Sequence, residues 1–228
     1  MKRTYTKKHI GKKTTKQIYC ELKNDEREHG YFENIEGIDE WPHSWPDGEV
    51  SYRLNNFSDD FSKRWQIRAV TVALRVWQWR INKIKFRRER NPDAHVDFNI
   101  RWEDLAHFDN RTGVLAHAYF PNQSDISGDV HINDEWDYVP GVFMQDLSHP
   151  PLVPILIHEF GHSLGLRHDT LDRESIMYPS FNLGRQKYKL GPRDVIRIQE
   201  RYGVRTISQR ILDYFARRRL TGGDFRRR

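Results

Sequence analysis

The sequence predicts an α+β domain in which three main helices pack on a twisted, mixed five-stranded sheet. Short stretches of alternating apolar and polar residues predict half-buried strands, and longer stretches with apolar residues every three to four positions predict amphipathic helices. These stretches follow one another as strand, helix, strands, helix and helix, an order typical of the α+β class. A chain of 228 residues is long enough for one such domain with a substantial core and flanking tails.

The first half of the predicted domain contains one long helix between strands. Residues 50–57 alternate between apolar and polar side chains and predict the first strand. Residues 61–81 predict a long helix with apolar residues at a 3.6-residue period: Ile67, Val70, Leu74, Trp77 and Ile81. Two further strands are expected at 84–86 and 95–102, separated by the turn-forming sequence Asn-Pro-Asp at 91–93.

The second half contains two short strands followed by helices. Residues 113–120 and 129–132 have strand character. A second helix is expected over 154–164, because a proline suits the first turn of a helix. A third is expected over 192–203, with proline at its start and glycine at its end. Apolar residues at helical spacing make 205–220 a candidate for a fourth.

The two ends of the chain differ from the domain in composition. Residues 1–45 form a basic lead-in that closes with a turn-like sequence at 41–49, and residues 205–228 form a basic amphipathic extension. The domain itself is therefore assigned to 46–204. The ends hold much of the positive charge behind the net charge of +6, and such tails either stay solvated or bind nucleic acid or another anionic partner.

Cysteine content and hydropathy bear on disulfide formation, membrane insertion and the cellular compartment of the chain. Cys20 is the single cysteine, which excludes an intramolecular disulfide. No apolar run reaches the roughly 18 residues of a membrane span, and the basic amino terminus lacks the apolar segment of a secretory signal. The sequence alone thus predicts a chain that stays inside a cell or leaves it by an unconventional route. It does not indicate an oligomeric state.

The stretch HEFGHSLGLRH, which begins at His158, has the spacing of a metal site. On a helix, His158 and His162 project from one face one turn apart, so both imidazoles can bind one ion. Glu159 lies beside the first ligand, placed to act on a water molecule at the metal. Gly165 can adopt positive φ, end the helix and let the chain turn back, which brings His168 to the same ion. Three imidazoles with an open fourth position form a catalytic zinc site.

An ordinary helix with surface histidines is the alternative interpretation of this stretch. A bare H-E-x-x-H would leave that alternative open, because it fixes three positions. Here five fixed positions agree, and the helix, the glycine and the third histidine indicate one geometry. We therefore predict a metal site.

This motif, with 175-SIMYP-179 after it, resembles that of the matrixins (matrix metalloproteinases) among the metzincins, whose motif is H-E-x-G-H-x-x-G-x-x-H followed by a Met-turn. The similarity spans about 47–204. It implies a metzincin-like fold with zinc in a cleft between an upper and a lower subdomain, peptidase activity on protein substrates, and the extracellular matrix as the usual setting. By the same resemblance, Met177 forms a floor beneath the zinc, and Pro179 and Phe181 line the primary specificity pocket.

The resemblance also implies a second, structural zinc, which matrixins hold with a H-x-D pair and two later histidines. The matching residues here are His107, Asp109, His117 and His131, although the loop that follows the pair is shorter than usual. In another alignment Asp109 is the calcium-binding aspartate of the family, and in a third interpretation the two later residues are ordinary strand histidines. The calcium ligands after the fifth strand depart from the family pattern, with Asn133 at a key position, which argues against calcium binding.

Together these features predict a zinc-dependent metalloendopeptidase. Glu159 would remove a proton from a zinc-bound water and deliver it to the leaving amine, while the substrate adds as an extended strand along 113–120. The inhibitory cysteine motif of the matrixin prodomain is not found around Cys20, which argues against a prodomain of the family type. Residues 1–45 are nevertheless a candidate pro-segment, and this thiol is either a zinc cap or incidental. The alternative function is a zinc-stabilised protein that binds nucleic acid or an anionic scaffold through its basic tails.

Overall fold

The computed structural model describes residues 18–22, 40–139, 149–181, 187–209 and 211. In chain order the elements are β1 (Ile18–Leu22), β2 (Gly48–Leu54), α1 (Lys63–Gln78), β3 (Ile84–Arg88), β4 (Phe98–Glu103), a 3-10 helix (Leu105–Phe108), β5 (Val114–Ala118), β6 (Val130–Asn133), α2 (Leu152–Ser163), β7 (Ser180–Phe181) and α3 (Pro192–Tyr202). The α+β class, the five predicted strands and the three predicted helices are confirmed, with ends displaced by up to three residues.

Two of these displacements have simple physical reasons. The second helix begins at Leu152 and not at Pro154, because the proline lies in the first turn, where its missing N–H would have no intrahelical partner anyway. The first helix ends at Gln78 and not at residue 81, because Ile81 forms a β-bridge with Val204. Its side chain is nevertheless fully buried, as the apolar period predicts.

The sheet has the strand order β3-β2-β4-β6-β5-β1-β7. The five predicted strands are contiguous in it: β3, β2, β4 and β6 are parallel neighbours, and β5 is antiparallel to β6. Two short strands that the sequence pattern does not predict extend the sheet beyond β5. Of these, β1 pairs in parallel with β5, and β7 pairs antiparallel with β1. Residues 18–22 therefore cover the edge of β5 along which the sequence analysis predicts that a substrate strand binds.

The first two helices pack against each other. Trp77 of α1 is fully buried, and its indole N–H donates to the carbonyl of Ile157 in α2 at 2.8 Å. This bond fixes α2, which positions the metal site, to the longest helix of the domain. Among the described residues, no helix is long and apolar enough to cross a membrane.

Residues before the predicted start of the domain also pack onto it. Trp41 stacks on Phe120 with 4.8 Å between ring centroids, and the indole N–H of Trp45 donates to the Ser163 carbonyl at 2.7 Å. At the other end, residues 207–209 and 211 are helical, which agrees with the start of the candidate fourth helix. The remainder of that helix, and most of the lead-in, lie outside the described residues.

Candidate metal centre

The histidine-rich stretch forms the second half of α2 and the turn that follows it. Every residue of α2 is buried, and His158, Glu159 and His162 are at most 6% exposed. A helix that is buried on all sides cannot present these histidines to solvent. The interpretation of the motif as an ordinary surface helix is therefore wrong.

Gly165 reverses the chain after α2. Its φ is +90°, a conformation that costs a residue with a Cβ energy, and its N–H donates to the His162 carbonyl at 2.7 Å. A Cβ at this position would also lie 2.4 Å from Nη2 of Arg201, whose guanidinium group donates to the carbonyl of Leu164. The positive φ is the main requirement for glycine here, since the Arg201 guanidinium can shift, and the turn that glycine permits returns the chain to place His168 beside α2.

The three histidines of the motif bring their ring nitrogens together. One nitrogen from each of His158, His162 and His168 lies within 4.8 Å of the other two. The Nε2 atoms of His158 and His162 are 3.1 Å apart. Ligand nitrogens at about 2.05 Å from a tetrahedral zinc are about 3.3 Å apart, so this spacing fits a shared zinc ion.

Backbone carbonyls orient two of these rings. The Nδ1 of His158 donates to the Ile176 carbonyl at 2.6 Å, and the Nδ1 of His162 donates to the Leu166 carbonyl at 2.7 Å. Because a carbonyl can only accept, each Nδ1 holds the proton and each Nε2 presents a lone pair. Two lone pairs that face each other repel, and a cation between them removes this repulsion. The donor set therefore fits a metal ion.

Burial keeps these imidazoles neutral. Removal from water lowers the pKa of His158 to about 4 and the pKa of His168 to about 3, and it lowers the pKa of His162 well below its usual value. Nearby positive charges add to this effect for each residue. At neutral pH all three rings are thus in the unprotonated form that binds zinc.

Met177 packs against α2 at Gly161. It is fully buried, and a Cβ built on Gly161 would lie 2.2 Å from its sulfur atom. Only a glycine at position 161 leaves this space to Met177. The role of Met177 as a floor beneath the metal stays a prediction, and so does the pocket role of Pro179 and Phe181: Pro179 is half-buried, whereas the Phe181 side chain lies outside the described part.

Two buried aspartates that sequence reasoning missed support the site. Asp194 in the first turn of α3 accepts hydrogen bonds from the N–H of Ile176 at 2.8 Å and of Gly191 at 2.7 Å. Since Ile176 also orients His158, this carboxylate connects α3 to the metal ligands. Asp169 follows His168 directly, is fully buried, and accepts from the Arg193 guanidinium at 2.8 Å.

Part of this arrangement had a signal in the sequence. An aspartate in the first turn of a helix that begins with glycine and proline predicts capping of the helix start. That signal accounts for the bond from Asp194 to Gly191. The bond to Ile176, 18 residues earlier in the chain, had no local signal.

A second group of histidines lies on three other elements. His117 on β5 and His131 on β6 are directly opposite each other in the antiparallel ladder, and the 3-10 helix adds His107. Their ring nitrogens form a triangle with sides of 3.2, 3.1 and 2.8 Å. This spacing also fits one shared zinc ion.

Asp109 and Asn133 have other contacts. Asp109 ends the 3-10 helix with φ of 52°, and its carboxylate contacts the Arg111 guanidinium at 3.0 Å. The structure does not bring it into the second histidine group. The buried amide of Asn133 donates to the Val114 carbonyl at 2.9 Å, which ties the end of β6 to the start of β5.

Both a family profile and individual relatives show similarity to matrixins. The matrixin family profile matches residues 41–203. Matrilysin of Felis catus is 34% identical over 172 residues, which are 73% of this chain and 62% of the relative. Stromelysin-1 of Mus musculus is 31% identical over 186 residues, which are 78% of this chain and 37% of the relative. The chain thus spans less than two thirds of the length of these relatives. Because the family profile covers most of this chain, the protein belongs to the matrixin family.

Proposed function

We propose that this protein is a zinc-dependent endopeptidase that hydrolyses peptide bonds in protein substrates. The main support is the convergence of three neutral imidazoles, of which His158 and His162 are buried and His168 is partly buried, beside the buried Glu159 of α2. A zinc ion bound there supplies a Lewis acid that polarises a carbonyl group and lowers the pKa of a water molecule. The family match and the similar relatives give no support to the alternative, a binding protein that uses zinc only for stability.

Glu159 is the general base in this proposal. It follows His158 directly in α2 and is 1% exposed, so its carboxylate acts in a site from which bulk water is largely excluded. It would remove the proton from the attacking water and deliver it to the leaving amine, which balances the protons of the reaction. The carbonyls of Ile176 and Leu166 hold His158 and His162, respectively, in the tautomer that leaves Nε2 free to bind the metal.

We propose in addition that His107, His117 and His131 bind a second zinc ion with a structural role. The triangle of ring nitrogens and the burial of His117 and His131 support this site. Asp109 would serve as the fourth ligand if its side chain leaves Arg111.

Residues 1–45 are proposed to act as a pro-segment. In support, β1 pairs with β5 through Tyr19 opposite Val114 and Glu21 opposite His117, and its other edge pairs with β7. A peptide cannot add to that edge of β5 while β1 is bound there. The full chain should therefore be less active than a chain in which β1 is detached.

One set of measurements tests the activity and the second zinc. Zinc per chain is measured by elemental analysis beside cleavage of an unfolded protein substrate. Glu159→Ala should keep the zinc content of the parent and lower turnover at least about 100-fold. Glu200→Ala, at an exposed position on α3, is the matched control and should behave as the parent. Turnover of Glu159→Ala at the parent rate would refute the mechanism, and a single zinc in both the parent and His131→Ala would refute the second site.

The pro-segment is tested in the full chain. The double variant Tyr19→Pro/Glu21→Pro removes backbone donors from β1 and should raise turnover, whereas Lys8→Pro, outside β1, should not. Equal turnover of all three chains would show that β1 does not inhibit. Zinc binding without cleavage in any of them would favour the alternative of a binding protein.

A further inference from the structure

The outer face of α1 holds cationic and aromatic side chains and no acidic one. The helix and its C-terminal flanking residue, Trp79, contain no Asp or Glu. At 100° per residue, five exposed residues fall within an arc of about 100°: Arg64, Trp65, Arg68, Arg75 and Trp79. The two tryptophans, 14 positions apart, remain 51% and 49% exposed. This set is called the basic-aromatic face below.

Among the described residues, no carboxylate forms an ion pair with an arginine of this face. In the described part of the chain, the ion pairs of arginines lie elsewhere: at Arg87 on β3, at Arg111 after the 3-10 helix, and at Arg193 and Arg197 on α3. The Arg68 guanidinium group instead lies 5.4 Å from the centroid of the Trp65 ring. The arginines of the face therefore remain available to an anionic partner.

Exposed aliphatic side chains continue the face beyond α3. Val204 and Ile207 are 56% and 72% exposed, and Ile211 is 49% exposed. The neighbouring Arg205 fixes this segment to the end of α1, because its guanidinium donates to the Gln78 carbonyl at 2.7 Å and lies 5.8 Å from the Trp79 ring. Aliphatic and cationic residues thus share one surface.

A reciprocal cap starts a helical turn at this point. The Thr206 N–H donates to the Gln209 side-chain oxygen at 2.9 Å, and the Gln209 N–H donates to the Thr206 hydroxyl at 3.3 Å. Residues 207 and 211 are then one turn apart on the same side. Six further arginines follow in the sequence, at 217–219 and 226–228.

We propose that the basic-aromatic face, together with residues 204–211, binds the surface of an anionic lipid membrane. Arginines attract acidic headgroups, tryptophans prefer the interface between headgroups and acyl chains, and exposed aliphatic residues gain free energy when they enter that interface. A nucleic acid would satisfy the arginines and stack on the indoles, but it offers no apolar phase to Val204, Ile207 and Ile211. The exposed aliphatic residues therefore favour the membrane.

Sedimentation of the full chain with vesicles tests this proposal. Phosphatidylcholine vesicles are compared with vesicles that contain about one third phosphatidylserine, and the full chain should bind the second kind. Each arginine near an anionic surface strengthens binding about fivefold, so Arg68→Glu/Arg75→Glu should lower the partition coefficient at least 20-fold or so. The control Arg173→Glu/Lys189→Glu makes the same charge change at exposed positions outside the face and should change binding less than about threefold.

The aliphatic residues are tested without a change of charge. Ile207→Ser should lower binding about fivefold or more, and this effect should persist at high salt, where electrostatic attraction is screened. Zinc content serves as the check on folding.

Equal losses in the face variant and in the charge-matched control would show that net charge alone drives binding, and equal binding to both vesicle types would exclude recognition of anionic lipid. Binding of a single-stranded oligonucleotide with no vesicle binding would assign the face to nucleic acid. Each of these three results would overturn the proposal.

Discussion

Replacement of Gly161 by alanine tests how closely the metal-binding helix is packed. In an ordinary helix this change stabilises the protein by about 1 kcal/mol, because glycine is a poor helix former. Here the new Cβ would lie 2.2 Å from the sulfur of Met177 and 3.1 Å from Cζ2 of Trp77. Both neighbours are fully buried, so neither can move into solvent. Packing and helix propensity therefore predict changes of opposite sign in the free energy of unfolding.

The magnitude follows from the two opposing effects. Non-bonded contacts are optimal at about 3.5–4 Å, so the sulfur would have to move by more than about 1 Å. Overpacking of a buried site costs about 1–3 kcal/mol, and the short distance with two buried neighbours indicates the upper end of that range. After subtraction of the gain in helix propensity, Gly161→Ala should lower the free energy of unfolding by about 2 kcal/mol. The midpoint of thermal unfolding should fall by about 4–8 °C.

A double-mutant cycle with Met177→Ala separates the two effects. Once the Met177 side chain is shortened, the new methyl group at position 161 has room, and the alanine should then stabilise the protein by about 1 kcal/mol. Urea unfolding of the zinc-loaded chains gives the four free energies, with a coupling of about 3 kcal/mol expected between the two sites. If Gly161→Ala stabilises the parent as much as it stabilises the Met177→Ala chain, packing does not explain this glycine.

Three further predictions concern the supports of the site. Asp194→Ala leaves the buried N–H of Ile176 without its acceptor, and should lower the urea-measured free energy of unfolding by about 3 kcal/mol, more than Asp194→Asn does. In the metal-free chain, the pKa of His158 is about 4 in the folded state and about 6.5 in the unfolded state. The unfolded chain therefore binds more protons, and the free energy of unfolding should decrease as pH falls from 6.5 to 4. An equal free energy of unfolding at both pH values would contradict this. Gly165→Ala forces a φ of +90° on alanine and displaces the turn that places His168. Competition with a chelator should therefore show weaker zinc binding at His158, His162 and His168, with no change at the proposed second site.

The convergence of His158, His162 and His168 could be predicted because their geometry is local. His158 and His162 require only one turn of helix, and Gly165 reverses the chain within three residues of His168. No contact from a distant element is needed to bring the three rings together. Distant elements only fix their orientation, through the carbonyl of Ile176.

The two short strands at the end of the sheet could not be predicted in the same way. β7 has two residues and β1 has five, and neither has an apolar alternation that would distinguish it from a loop. β1 exists as a strand because it pairs with β5 and β7, and β7 exists as a strand because it pairs with β1. Pairing across more than 90 residues of sequence leaves no local pattern, so the covered edge of β5 was found only in the structure.

The second histidine group lies between these two cases. Its cross-strand pair could be predicted from the sequence, whereas the position of Asp109 could not. The cross-strand pair of His117 and His131 follows from register, whereas Asp109 contacts Arg111 because the chain leaves the 3-10 helix with positive φ. The Asp109 side chain is 69% exposed, and an ion pair so accessible to water stabilises the protein by at most about 1 kcal/mol. The Arg111 ion pair therefore opposes a move of Asp109 to the proposed second zinc by no more than about 1 kcal/mol.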